Sequence, residues 1–125
     1  MKKISVVVPC YNEQEVLPTT FDRLNELIND LIVKHKISTD SFCLYVDDGS
    51  RDATFSEISE LHGLDPRVRA ISFSRNFGKE AAMYAGLGAS RGELTVISDA
   101  DLQQRPEVVL EMMRVLEEDS ELDCV

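Results

Sequence analysis

Basic residues are scarce in this 125-residue chain: 13 lysines and arginines stand against 23 aspartates and glutamates, for a net charge of −10. That deficit argues against nucleic acid or an anionic membrane surface as a partner, since both demand a positive face. Cysteine is scarce too. Cys10, Cys43 and Cys124 are odd in number, far apart and without a CxxC pair, which argues against a disulfide framework or zinc site and suits a reduced, cytoplasmic setting. No apolar run approaches the roughly 18–20 residues of a membrane span, and Met1-Lys2-Lys3 passes straight into a strand-like segment instead of a secretory leader. Repeats, linkers and low-complexity stretches are missing as well. What is present, 43% hydrophobic and 29% charged residues, predicts a chain that folds as one domain and buries roughly 65–70% of its unfolded surface.

Short apolar runs alternate with helical periodicity. Ile4–Val8 reads as a buried, β-branched strand closed by Pro9. Leu17, Phe21, Leu24, Ile28 and Leu31 form the stripe of an amphipathic helix. Pro18 is tolerated only in a first turn, so that helix is expected to begin near Glu15 or Val16. Phe42–Val46 reads as a second strand, followed by a helix capped by Ser50, running through Leu61 and stopped at Gly63. Val68–Phe73 and Leu94–Ser98 read as the third and fourth strands. Between them, Lys79–Ser90 is rich in alanine and glycine, as expected of a helix lying close against a sheet. Pro106 would open a last helix with Val109, Leu110, Met113 and Leu116 on its apolar face. Continuous apolar strands separated by helices predict an open, mainly parallel α/β sheet with helices on both faces.

From Asp99 onward nine acids face two bases, a local net charge of −7. Leu122–Val125 then reads as the start of a fifth strand, which leads us to expect a chain that is the front part of something longer.

Each strand is followed by a polar segment: Pro9–Glu13, Asp47–Ser50, Ser74–Lys79 and Asp99–Gln103. In an open parallel sheet, ligands bind beyond these ends. Asp99 and Asp101 lie two residues apart at a strand end, where both carboxylates would reach a hard cation such as Mg2+ or Mn2+, with the Gln103 amide as a further ligand; equally, Asp99 would cap a turn and Asp101 be solvated. Asp47-Asp48-Gly49-Ser50 has the composition of a turn and a helix cap, but the doubled aspartate calls for a hydrogen-bond donor, such as a nucleobase N–H. Asn12 and Glu15 have capping-box spacing. Tyr11 has the ring to stack on a base. Arg75 and Lys79 flank Gly78 before a helix, either as a diphosphate cradle or as solvated charges. His35, His62, Met112, Met113 and Cys10 read as structural.

Val8-Pro9-Cys10-Tyr11-Asn12-Glu13, Val46-Asp47-Asp48-Gly49-Ser50-Arg51-Asp52, Ser74-Arg75-Asn76-Phe77-Gly78-Lys79-Glu80-Ala81-Ala82 and Asp99-Ala100-Asp101-Leu102-Gln103 resemble, in the same order, the motifs of family 2 glycosyltransferases. The third segment resembles the polyprenyl-phosphate branch in particular, the dolichyl-phosphate mannose synthases and bactoprenol glucosyltransferases. The resemblance implies a GT-A, Rossmann-like fold, a UDP- or GDP-sugar donor, a divalent metal and inverting transfer to a polyprenyl phosphate. It implies nucleotide-sugar contacts at Pro9, Tyr11, Asn12, Glu13, Asp48, Arg75, Lys79 and Asp99, and a metal held by Asp99, Asp101 and Gln103. Where relatives often continue with Asp-Pro-Pro-Glu, this chain has Gln104-Arg105-Pro106-Glu107.

On that resemblance residues 1–125 would be the nucleotide-sugar-binding part of a catalytic domain, with catalytic base unassigned. The acceptor half and any membrane segments would be absent, and this chain alone inactive. The whole protein would sit at the cytoplasmic face of a membrane. A soluble family 2 transferase of cell-wall or exopolysaccharide assembly and a non-catalytic nucleotide-sugar-binding protein are the alternatives. A phosphoacceptor receiver domain would carry its acids after the first strand, where Pro9-Cys10-Tyr11 stands, and a dinucleotide-binding module would carry a GxGxxG there, which is absent.

Overall fold

The computed structural model describes residues 2–90, 92–100, 108–119 and 121. Strands β1 (Ile4–Cys10), β2 (Phe42–Asp47), β3 (Val68–Ser72) and β4 (Leu94–Ile97) alternate with helices α1 (Leu17–Val33), α2 (Thr54–Leu64), α3 (Lys79–Ala89) and α4 (Val108–Glu118). The sheet runs in the order β3-β2-β1-β4, and every pairing is parallel. This is the open α/β sheet expected from the alternation of elements.

Alternating side chains of β1 feed two cores, as the pleat requires. Ile4, Val6, Val8 and Cys10 pack with Cys43 and Tyr45 of β2 beneath α1, α2 and α4. Val7 points the other way and joins Leu44, Val46 and Ala82 under α3. The expected closeness of α3 is real: a Cβ on Gly86 would stand 2.3 Å from Val7 Cγ1. Buried on both faces, β1 and β2 have no solvent side, which is why they read as unbroken apolar runs. Among the described residues no helix is long and apolar enough to cross a membrane.

Several boundaries differ from expectation. Strand β1 runs through Pro9 to Cys10. The carbonyl of Val7 accepts the Ser98 N–H, so Val7 faces β4, and Pro9, two residues on, faces the same way. The β1–β4 ladder ends at Val7–Ile97; proline lacks the N–H that would carry it one rung further. The sheet therefore parts between β1 and β4 just past Pro9. Helix α1 begins at Leu17, one residue after the expected Val16, with Pro18 in its first turn. Helix α2 begins at Thr54, without a side-chain cap from Ser50, and continues through Gly63 to Leu64. The helix-opening role given to Pro106 and the fifth strand at Leu122–Val125 lie outside the described residues.

Candidate functional site

Strand β1 is where the chain order reverses, with β2 on one side and β4 on the other. Loops leaving β1 and β4 diverge there, which opens a crevice at the carboxyl ends of the strands. A cavity of about 430 Å³ occupies it. Pro9, Tyr11, Glu13, Asp48, Lys79 and Asp99 all line this cavity, together with Cys10, Asn76, Gly78, Ala82 and Ala100. Six of the residues singled out from the sequence thus meet in one place. Asn12 and Arg75 are not among the lining, and Asp101 and Gln103 lie outside the described residues.

Two loops are clasped together on the β1–β2 side. Asn12, at φ +51°, does not cap α1; its N–H donates to Ser50 Oγ at 2.9 Å and its Oδ1 accepts the Arg51 N–H at 2.8 Å. Gln14 repeats the contact two residues on, its Oε1 accepting the Ala53 N–H at 2.8 Å. The Glu13 N–H donates to Thr54 Oγ1 at 2.9 Å, while the Thr54 hydroxyl donates in turn to Asp52. Asn12 and Ser50 therefore hold each other's loops in place of helix ends. The clasp fixes the backbone that carries Tyr11, 40% exposed, to the rim of the cavity.

The doubled aspartate finds its donors within the chain. Asp47 and Asp48 are buried, at 2% and 3% exposure. Asp47 Oδ1 accepts the Ser50 N–H at 3.3 Å. Asp48 Oδ1 accepts the Phe77 N–H at 2.8 Å; Oδ2 accepts the Gly78 N–H and the Asn76 side-chain amide, both at 3.0 Å. Three charge-assisted bonds stabilise a carboxylate that burial alone would penalise. Gly49 seats the same loop: a Cβ there would fall 2.2 Å from the Arg75 carbonyl carbon, and its φ of +68° suits glycine.

That loop delivers Lys79 to the cavity. Gly78, at φ +104°, immediately precedes α3, and Gly78, Lys79 and Ala82 line the cavity, so the start of the helix, with the partial positive charge of its N-terminus, borders the crevice. Lys79 Nζ lies 2.6 Å from Asp99 Oδ1. Arg75 turns away: its guanidinium stacks on the Phe77 ring at 4.3 Å, and Phe77 meets Phe73 edge-on at 5.7 Å. On the opposite side, the Thr20 hydroxyl of α1 donates to the Ala100 carbonyl, anchoring the segment after β4. The Cys10 thiol is held protonated, first by burial and then by the charges of Glu13 and Asp47, so it lines the cavity as an apolar group.

Among the described residues no three His, Cys, Asp or Glu side chains gather as a metal site. Asp99 supplies one hard oxygen donor at the cavity, the chemistry Mg2+ or Mn2+ prefers; its expected partners Asp101 and Gln103 lie outside the described residues. Sequence reasoning missed Asn76 and Gly78 as lining residues. Both sit within the segment that carried the resemblance, but their partner Asp48 is 28 and 30 residues away, and no local pattern reveals that.

Residues 5–125 match the sequence profile of glycosyl transferase family 2. An uncharacterised glycosyltransferase of Bacillus subtilis, YkcC, is 40% identical over 118 residues, covering 94% of this chain and 35% of its own length. The bactoprenol glucosyl transferase of Shigella phage SfX is 39% identical over 107 residues, covering 86% of this chain and 33% of its own. The chain thus spans about a third of the length of these relatives. Among solved structures, a mannosyltransferase from Pyrobaculum calidifontis in complex with GDP-Man and Mn2+ superposes with a TM-score of 0.68 at 23% identity, over 92% of this chain and 32% of that one; it is similar in fold.

Proposed function

From the premise that the chain belongs to glycosyltransferase family 2, we propose that residues 1–125 are the nucleotide-sugar-binding part of an enzyme that transfers a sugar, with inversion, from a UDP- or GDP-sugar to a polyprenyl phosphate. The observation that carries this reading is the convergence of Pro9, Tyr11, Glu13, Asp48, Lys79 and Asp99 on one cavity at the sheet's switch point. The acceptor class rests on the likeness to a protein named as a bactoprenol glucosyl transferase, and concerns the whole protein.

The proposed chemistry follows from charge. As the anomeric bond breaks, the departing nucleoside diphosphate gathers negative charge, and groups placed to meet it lower the barrier. Lys79 and the N-terminus of α3 line the cavity and would meet that charge. Asp99, Asp101 and Gln103 would hold a divalent cation, which supplies Lewis-acid neutralisation of the diphosphate when bound. Tyr11 offers a face for the base. A phosphate monoester has a second pKa of about 6 and attacks as a dianion at neutral pH, so the acceptor needs little help from a general base. The described cavity lining accordingly needs no histidine, and holds none.

Titration of UDP- and GDP-sugars with and without Mn2+, on the wild type and on Asp99→Asn and Asp101→Asn, tests the reading. Metal-dependent binding of one donor, weakened at least tenfold in either variant, is expected. Binding indifferent to metal and to both substitutions would favour a non-catalytic scaffold. The 125-residue chain is expected to bind donor without turnover; sugar transfer to a polyprenyl phosphate by this chain would refute that part.

A further inference from the structure

We propose that Asp48 and Asn76 form a positioning pair: the buried Asp48 carboxylate acts through the 75–78 loop, setting where Lys79 and the N-terminus of α3 meet a diphosphate. The inference rests on the reading above of the cavity as a nucleotide site. It departs from the expectation that Asp48 serves the nucleoside directly.

The geometry is specific. A carboxylate has about four lone-pair positions, and three at Asp48 are filled from one loop: Phe77 N–H, Gly78 N–H and the Asn76 amide. Asn76 also donates to the Asp48 carbonyl at 3.2 Å, so its amide grips both backbone and side chain of one residue. Gly49, next in sequence, is the floor against which Arg75 and Asn76 rest. These bonds commit the two N–H groups just before α3 to Asp48. Lys79 and the helix N-terminus behind them remain as the positive elements facing the cavity. The loop is short and its last residue holds a positive φ that only glycine adopts easily. Loss of the carboxylate therefore shifts the start of α3 and the ammonium it carries. Distances of an ångström matter at such a site, because electrostatic contacts act only when pre-placed.

A carboxylate that reads the base and one that shapes the loop differ in what they affect. Asp48→Asn replaces one carboxylate oxygen with an NH2, which leaves either the Phe77 N–H or the Gly78 N–H and the Asn76 amide facing a donor instead of an acceptor, and Asn76→Ala removes the grip from the other end while leaving the Asp48 carboxylate in place. The full chain is titrated with uridine and guanosine, and with UDP and GDP plus Mn2+, by ligand-observed NMR and calorimetry. Both variants are expected to lose about tenfold or more in diphosphate affinity while nucleoside affinity stays within twofold. The double variant should lose no more than the worse single, as for residues acting through one loop. A parallel loss of nucleoside and diphosphate in Asp48→Asn, with Asn76→Ala silent, would overturn the proposal.

Amide exchange judges the loop apart from any ligand. The Phe77 and Gly78 amides should be protected in the wild type and exchange at least tenfold faster in both variants, with far-UV circular dichroism reporting that the fold is retained. Fast exchange of both amides in the wild type would overturn the positioning role even if nucleotide binds. Failure of the wild type to bind any nucleoside or diphosphate would instead overturn the functional reading, and with it the ligand half of this inference.

Discussion

The Lys79 ammonium lies 2.6 Å from the Asp99 carboxylate, joining the first residue of α3 to the loop after β4 across the cavity. The pair is exposed, at 62% for Lys79 and 31% for Asp99, so water screens it and it adds little to stability, about 1 kcal/mol at most. Its value lies in placement. Lys79→Met should leave the unfolding midpoint nearly unchanged while weakening nucleoside diphosphate binding about tenfold, a loss of ~1.4 kcal/mol. Calorimetry alongside thermal unfolding checks both halves, and an unchanged affinity would remove Lys79 from the site.

The sheet was legible from composition because β1 and β2 are buried on both faces, so their apolar runs carry no polar interruption. Six candidate residues meet in the cavity because each lies at or just past the carboxyl end of a strand or opens a helix, and parallel strands bring such ends to one edge. Local capping rules failed where residues were engaged at long range. Asn12 has a capping-box partner three residues on, yet its hydrogen bonds go 38 and 39 residues away. Ser50 is taken by the same clasp, and α2 starts later than its composition suggests. Arg75 is expected near the nucleotide from its charge before a helix and from the resemblance, whereas its guanidinium stacks on the exposed Phe77 ring two residues along. Asp48 is the clearest case, since a doubled aspartate signals a missing donor without saying that the donor is part of the protein.

Helix α3 offers a paired test of packing. A Cβ on Gly86 would meet the fully buried Val7 side chain at 2.3 Å, whereas one on Gly88 meets nothing within 4 Å. Gly86→Ala should therefore destabilise by about 1–3 kcal/mol through overpacking. Gly88→Ala should stabilise slightly, by up to ~1 kcal/mol, because alanine loses less conformational freedom in a helix. Urea unfolding of the two variants measures the difference; equal effects would contradict the close approach of α3 to β1.

Tyr45 is fully buried, and its hydroxyl has no hydrogen-bond partner among the described residues. A void of about 10 Å³ beside it is lined by Phe21, Ile28, Cys43 and Val68 as well as by Asn25, Asp65 and Arg67. An unsatisfied buried hydroxyl costs about 1–3 kcal/mol, so Tyr45→Phe, which keeps the ring, should be neutral or stabilising by about 1 kcal/mol. A clear loss of stability would mean that a water in the void satisfies the hydroxyl, and a crystal structure would then show it.

The buried thiols set an alkaline limit on stability. Burial pushes Cys43 up to about 12, and Cys10 higher still, where the charges of Glu13 and Asp47 act in the same direction. In the unfolded chain both titrate near ~8.5. Above that pH the unfolded state releases these protons while the folded state keeps them, so the unfolded state gains and stability falls. The contribution is fully present below about pH 8.5 and declines by up to about 1.4 kcal/mol per pH unit for each thiol as pH rises toward the folded values. Urea unfolding between pH 7 and 10 should be level at first and then slope downward, with Cys43→Ala showing a shallower slope than the wild type. An identical slope in that variant would show that the Cys43 thiol titrates alike in both states, which a residue buried in β2 beneath α1 and α2 should not do.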